Sequence, residues 1–76
     1  MPKPDVAQEQ FVLLGERVRR IREGAGLSQS QLATKAGISR TSLHMVEAGT
    51  GNPRYGTLLA LADALGIGIH VLIPRG

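Results

Sequence analysis

This chain of 76 residues is predicted to be all-α: a compact domain of four to five short helices, closed by a short C-terminal β-strand that pairs across a dimer. Three observations predict it. Apolar residues recur at steps of three and four between glycine stops, the spacing of a buried helical stripe. The apolar content, 42% of the chain, is almost entirely Leu, Ile, Val and Ala, with Phe11 and Tyr55 the only aromatic residues, which suits a small helical core. The tail alone alternates with a period of two. The length leaves room for one domain, and the absence of cysteine removes disulfides and thiolate metal sites. A domain near this size buries only about 60% of its unfolded surface, so self-association is expected.

Pro2 and Pro4 hold the first residues extended, and Asp5 can cap a helix, with Gln8 three positions on to complete a capping box. The first helix should begin near Val6. Phe11, Leu14, Val18, Ile21 and Ala25 form its apolar stripe, and Gly24 and Gly26 end it. Gly15 costs this helix about 1 kcal/mol relative to Ala, or marks where a looser N-terminal arm joins it. Ser28 is the natural N-cap of a second helix, Gln29 to Ala36, closed by Gly37 in the left-handed conformation. Ser39 caps a third, Arg40 to Ala48. There Leu43, Val46 and Glu47 share one face while Thr41, His44, Met45 and Ala48 point the other way. Gly49 ends it, and the turn-rich Thr50-Gly51-Asn52-Pro53 leads into a fourth helix, about Tyr55 to Leu65, with Leu58, Leu61, Ala62 and Leu65 on one side and Gly66 as its stop.

In the tail, Ile67, Ile69, Val71 and Ile73 alternate with Gly68, His70 and Leu72, which predicts a strand. A lone strand has unpaired backbone groups and an apolar face, so its expected partner is the same strand of a second copy, with Ile69, Val71 and Ile73 in the contact. The expected organisation is thus an arm and the start of the first helix over 1–10, the folded helical unit over 11–67, and a dimerisation strand over 68–76.

Nine Lys and Arg against six Asp and Glu give a net charge of +3, which suits a polyanionic partner. The longest nearly uninterrupted apolar run, Ile67 to Ile73, is far short of the roughly 20 residues a membrane helix needs. The first residues lack the apolar stretch of a secretory signal, so the expected location is cytoplasmic and reducing, with no membrane partner. His44 and His70 are the only imidazoles and have no nearby acidic pair, so no metal or other cofactor is expected. No Ser-His-Asp set, carboxylate pair or phosphate-cradling Gly-rich loop can be assembled either, and the chain reads as a binding protein rather than an enzyme.

Two short helices joined by a tight glycine turn, the second exposing small polar residues at its start, describe a helix-turn-helix. Gln29 opens the first of these, Ala33 permits close approach, Gly37 sits in the turn, Ile38 and Leu43 fill the core, and Val46 closes the packing. From roughly Leu14 to Ile67 the sequence resembles the Xre/Cro family, the DNA-binding domains of phage-repressor type. The stretches that carry the resemblance are Leu27-Ser28-Gln29, Leu32-Ala33, Ala36-Gly37-Ile38-Ser39, Glu47-Ala48-Gly49, Asn52-Pro53 and Thr57 to Gly66.

The third helix is narrow and polar enough at its start to enter a major groove about 12 Å wide. Arg40 can give two hydrogen bonds to guanine, Thr41 can meet a base or a thymine methyl, and His44 and Met45 lie one turn further along. The resemblance implies that these four, with Ser39, read the bases, that Gln29 touches the DNA backbone, and that Arg22 pairs with Glu47 to brace the third helix. Asn52 and Arg54, in the loop from Thr50 to Arg54, are further phosphate candidates. Blander readings stand beside these: Gln29 as a solvated helix residue, Arg40 as an exposed charge, and Arg17, Arg19 and Arg20 as a solvated face.

The leading functional reading is a sequence-specific transcriptional regulator, most simply a dimeric repressor on a palindromic operator. One recognition helix per subunit would enter successive major grooves about 34 Å apart. The alternative is an antitoxin, with a toxin protein as second partner, because Leu65-Gly66-Ile67 followed at once by Ile69 to Ile73 resembles the antitoxin subgroup that couples subunits through a C-terminal strand. A third reading is a helical adaptor that has lost DNA binding.

Overall fold

Short-range signals set where the helices start and stop. The Ser28 side chain accepts from the Gln31 amide at 3.0 Å while the Gln31 side chain accepts from the Ser28 amide at 2.8 Å, a complete capping box. In this computed structural model, which describes residues 6–73, the result is five helices: α1 (Val6–Gly24), α2 (Gln29–Ala36), α3 (Arg40–Ala48), α4 (Tyr55–Leu65) and α5 (Ile69–Leu72). Gly37 ends α2 at φ +72°, where its amide reaches the Ala33 and Thr34 carbonyls; the missing Cβ makes that left-handed turn inexpensive.

α1 begins at Val6, as expected, and runs unbroken through Gly15, so no looser arm joins it there. Asp5, the proposed cap, lies outside the described residues. The Gln8 side-chain amide donates to the Gly49 carbonyl and ties the start of α1 to the end of α3. The core is aliphatic. Leu14 and Val18 of α1, Leu32 and Ala33 of α2, Leu43 and Val46 of α3, Leu58, Leu61 and Ala62 of α4 and Leu72 of α5 are all buried. Fully burying a Leu side chain contributes about 1.5 to 3 kcal/mol, and four leucines here (Leu32, Leu43, Leu61 and Leu72) reach that limit. α1 crosses α3, α2 packs on α3 and α4, and α5 covers α4 and α1.

The expected C-terminal strand is a helical turn, and no strand occurs among the described residues. Packing overrides the period of two. A helical turn carries Leu72 into the core with Ile67 and Ile69 packed around it, leaving Val71 and Ile73 outside at 38% and 42% exposure. A strand would have put Leu72 on the face opposite the isoleucines. The turn also satisfies backbone groups that a strand would have offered to a partner: the Val71 amide bonds the Gly68 carbonyl at 3.0 Å, and Arg17 of α1 donates to the carbonyls of Val71 at 3.2 Å and Ile73 at 3.4 Å. The tail therefore offers no strand, among the described residues, to pair across a dimer. The antitoxin reading, which rested on that strand, loses its footing with it.

Candidate nucleic-acid interface

The sequence Ala36-Gly37-Ile38-Ser39 turns the chain between α2 and α3 within three residues. The Ile38 amide bonds the Ala33 carbonyl at 3.0 Å, and Ile38 packs on the core. Ser39 then caps α3 by accepting from the Ser42 amide at 3.0 Å, and its hydroxyl lies 2.8 Å from that of Ser42. Ser39, expected among the base readers, is thus occupied in starting the helix. With Leu43 and Val46 buried, α3 can present only its other side, and Arg40, Thr41, His44 and Met45 are all exposed.

The outward residues fall into two groups. Arg40, Thr41 and His44 line one shallow hollow together with Gln29 at the head of α2. Met45 faces the other way along the helix, into a hollow shared with Ser42, Asn52, Pro53 and Arg54, and its terminal methyl approaches Gly51. The structure thus brings three expected base readers beside one expected phosphate residue, and sets Met45 beside the other two, Asn52 and Arg54. Ser42 is exposed in that second group and was not singled out from the sequence; its place three residues before Met45 is the signal that would have found it. Arg54 occupies the N-cap position of α4 with no side-chain cap hydrogen bond, so the first-turn amides of that helix lack a side-chain cap beside its guanidinium.

Behind this surface sits a buried ion pair. Arg22 Nε and Nη2 donate to Glu47 Oε2 and Oε1 at 2.6 and 3.0 Å, and Nη1 donates to the Leu27 carbonyl at 2.7 Å. The two side chains are 10% and 4% exposed. The hydrogen bonds to Glu47 raise the Arg22 guanidinium above its ordinary value, outweighing the opposing effect of burial. The pair clamps α1 and the turn before α2 to α3, as the family resemblance implies. Gln29 joins it by donating from Nε2 to Glu47 Oε1 at 3.2 Å, a contact that sequence spacing did not suggest. Of the remaining helix 1 arginines, Arg19 makes an exposed i,i+4 pair with Glu23 at 3.5 Å, and Arg17 holds the tail. Among the described residues no group of His, Asp or Glu is arranged to hold a metal ion, and no helix is long and apolar enough to cross a membrane.

Known proteins share this fold. The helix-turn-helix domain family matches residues 13–72. The immunity repressor protein of Bacillus phage phi105 is 42% identical over 60 residues, covering 79% of this chain; the chain spans only 42% of that relative's length. Among solved structures, the restriction-modification controller protein C.AhdI from Aeromonas hydrophila superposes with a TM-score of 0.83 at 37% identity, covering 86% of this chain and 98% of that one. The master regulator for biofilm formation SinR, solved in complex with DNA, superposes with a TM-score of 0.73 at 32% identity over 78% of this chain and 95% of that one. With the helix-turn-helix geometry, the Arg22–Glu47 clamp and these matches together, the chain belongs to the Xre/Cro-type helix-turn-helix family.

Proposed function

We propose that this protein is a DNA-binding transcriptional regulator, most simply a repressor, that reads its operator by placing α3 in the major groove. The observation that carries this reading is the exposed row Arg40, Thr41 and His44 on α3, next to Gln29 and backed by the rigid Arg22–Glu47 clamp. Arg40, Thr41, His44 and Met45 contact base edges, with Ser39 fixing where the helix starts. Gln29, Asn52 and Arg54 hold phosphates on either side of α3. A net charge of +3 supports the attraction to a polyanion. Further support comes from the relatives: one is named an immunity repressor, one a restriction-modification controller, and SinR was solved on DNA.

The active species in this reading is a homodimer on a palindromic operator, with the two copies of α3 about 34 Å apart. Its contact is the helical tail rather than a strand, through the exposed Val71 and Ile73, while Ile69 is half-buried against its own core. The place of action is the nucleoid, in the cytoplasm. Selection of bound sequences from a random DNA pool, followed by titration of the winning duplex and of random DNA in rising salt, tests the reading. A two-fold symmetric site bound well above random sequence is expected; equal affinity for every sequence overturns it.

A further inference from the structure

We infer that Glu47, besides bracing α3, is a positioning residue for the DNA-backbone contact of Gln29; this rests on the DNA-binding reading above. Gln29 stands at the first position of α2, and in most proteins a half-exposed glutamine there samples several rotamers and loses that freedom on binding. Here the freedom is already spent, because Gln29 Nε2 donates to Glu47 Oε1 at 3.2 Å. Glu47 cannot swing to release it. Its carboxylate is held by two guanidinium bonds from Arg22, at 2.6 and 3.0 Å, and is 4% exposed.

Arg22 in turn is anchored to the Leu27 carbonyl at 2.7 Å, immediately before the capping box that starts α2. The chain Leu27, Arg22, Glu47, Gln29 therefore fixes the head of α2 against α3 at the point where a phosphate would approach. A carboxylate in this place would ordinarily repel a phosphate, but the Arg22 fork neutralises it. Each carboxamide nitrogen has two hydrogens, so one remains for a phosphate oxygen while the other stays on Glu47. The same rigid bond sets the Gln29 edge of the hollow shared with Arg40, Thr41 and His44, so backbone contact and base-reading surface keep a fixed spacing.

A double-mutant cycle tests this, using Gln29→Ala, Glu47→Gln and the pair, with affinity for a labelled random-sequence duplex at fixed low salt as readout. Glu47→Gln preserves shape, but it replaces one of the two acceptor oxygens by an NH2 donor and removes the charge, so Gln29 must compete with the Arg22 fork for the single oxygen left. Glu47→Gln should weaken binding about 3- to 10-fold when residue 29 is Gln and less than about 2-fold when it is Ala, the non-additivity of directly coupled neighbours. Equal effects on the two backgrounds overturn the positioning role while leaving DNA binding through α2 intact. Full affinity of Gln29→Ala overturns the proposal by removing Gln29 from the backbone contacts, while DNA binding through α3 stands; no duplex binding by the wild type overturns the proposal together with the reading beneath it. Should Glu47→Gln fail to fold, side-chain amide relaxation of the free wild type decides. An order parameter above about 0.6 at Gln29 Nε2 supports a preset side chain, and a lower one refutes it.

Discussion

Gly15 of α1 lies against the carbonyl of Val46 near the end of α3. A Cβ built on Gly15 would stand 2.2 Å from Val46 O and 2.7 Å from Glu47 O, both backbone atoms that cannot swing aside. The glycine is where α1 crosses α3, and only hydrogen fits between the two backbones. Gly49, at φ +72°, meets α1 in the same way, its absent Cβ lying 2.8 Å from the Val12 Cα. These contacts set the height of α3 on the domain and so how far its outer face projects.

Gly15→Ala should therefore destabilise the fold, although Ala favours a helix over Gly by about 1 kcal/mol. Forcing the helices apart costs about 1 to 3 kcal/mol beyond that gain, as overpacking does elsewhere. Urea unfolding followed by circular dichroism checks it, and a raised midpoint would show that the crossing is not tight.

Removing one partner of the buried pair leaves the other charge without compensation. Arg22→Ala is expected to cost about 3 to 5 kcal/mol by denaturant titration, far more than the exposed Arg19–Glu23 pair at about 0 to 1 kcal/mol. Because the folded Arg22 guanidinium is raised above its unfolded value, its contribution is complete below the ordinary arginine range and disappears only as pH rises through the still higher folded value. A cost for Arg22→Ala no larger than for Arg19→Ala would contradict the clamp.

Arg40 and Arg54 should separate specificity from affinity. Arg40→Ala is expected to relax base choice at one operator position by about 1 to 3 kcal/mol. Arg54→Ala should instead weaken all sequences alike and reduce the salt slope by about 1. Competition binding with operator, single-base variants and random duplex distinguishes the two patterns; uniform weakening by Arg40→Ala would remove it from the base readers.

Val71 and Ile73 are outward while Leu72 is buried, so in the dimer proposed above Val71→Asp should shift sedimentation toward the monomer without unfolding the domain. Arg17→Ala, which frees the carbonyls of Val71 and Ile73, should weaken the same assembly by loosening the tail. An unchanged dimer in both variants would move the interface elsewhere.

Much of this was legible from residues close in sequence. Ser28 with Gln31, Ser39 with Ser42, and Gly37, Gly49 and Gly66 define the ends of α2, α3 and α4, because caps and left-handed turns involve partners within about five residues. The exposed and buried faces of α3 follow from its own periodicity, with Leu43 and Val46 inward and Thr41, His44 and Met45 outward. Arg22 with Glu47 was reached through family resemblance, since 25 residues separate them.

Sequence alone determined the helices α1 to α4, the turn that joins α2 to α3, and which residues face away from the core. Tertiary packing decided the rest. It turned Ile69–Leu72 into a helix that carries Leu72 into the core. It also made Gly15 a contact surface, and it brought Gln29 onto the buried pair. Each of these outcomes depends on groups distant in the chain, whose approach is fixed only when the whole core closes.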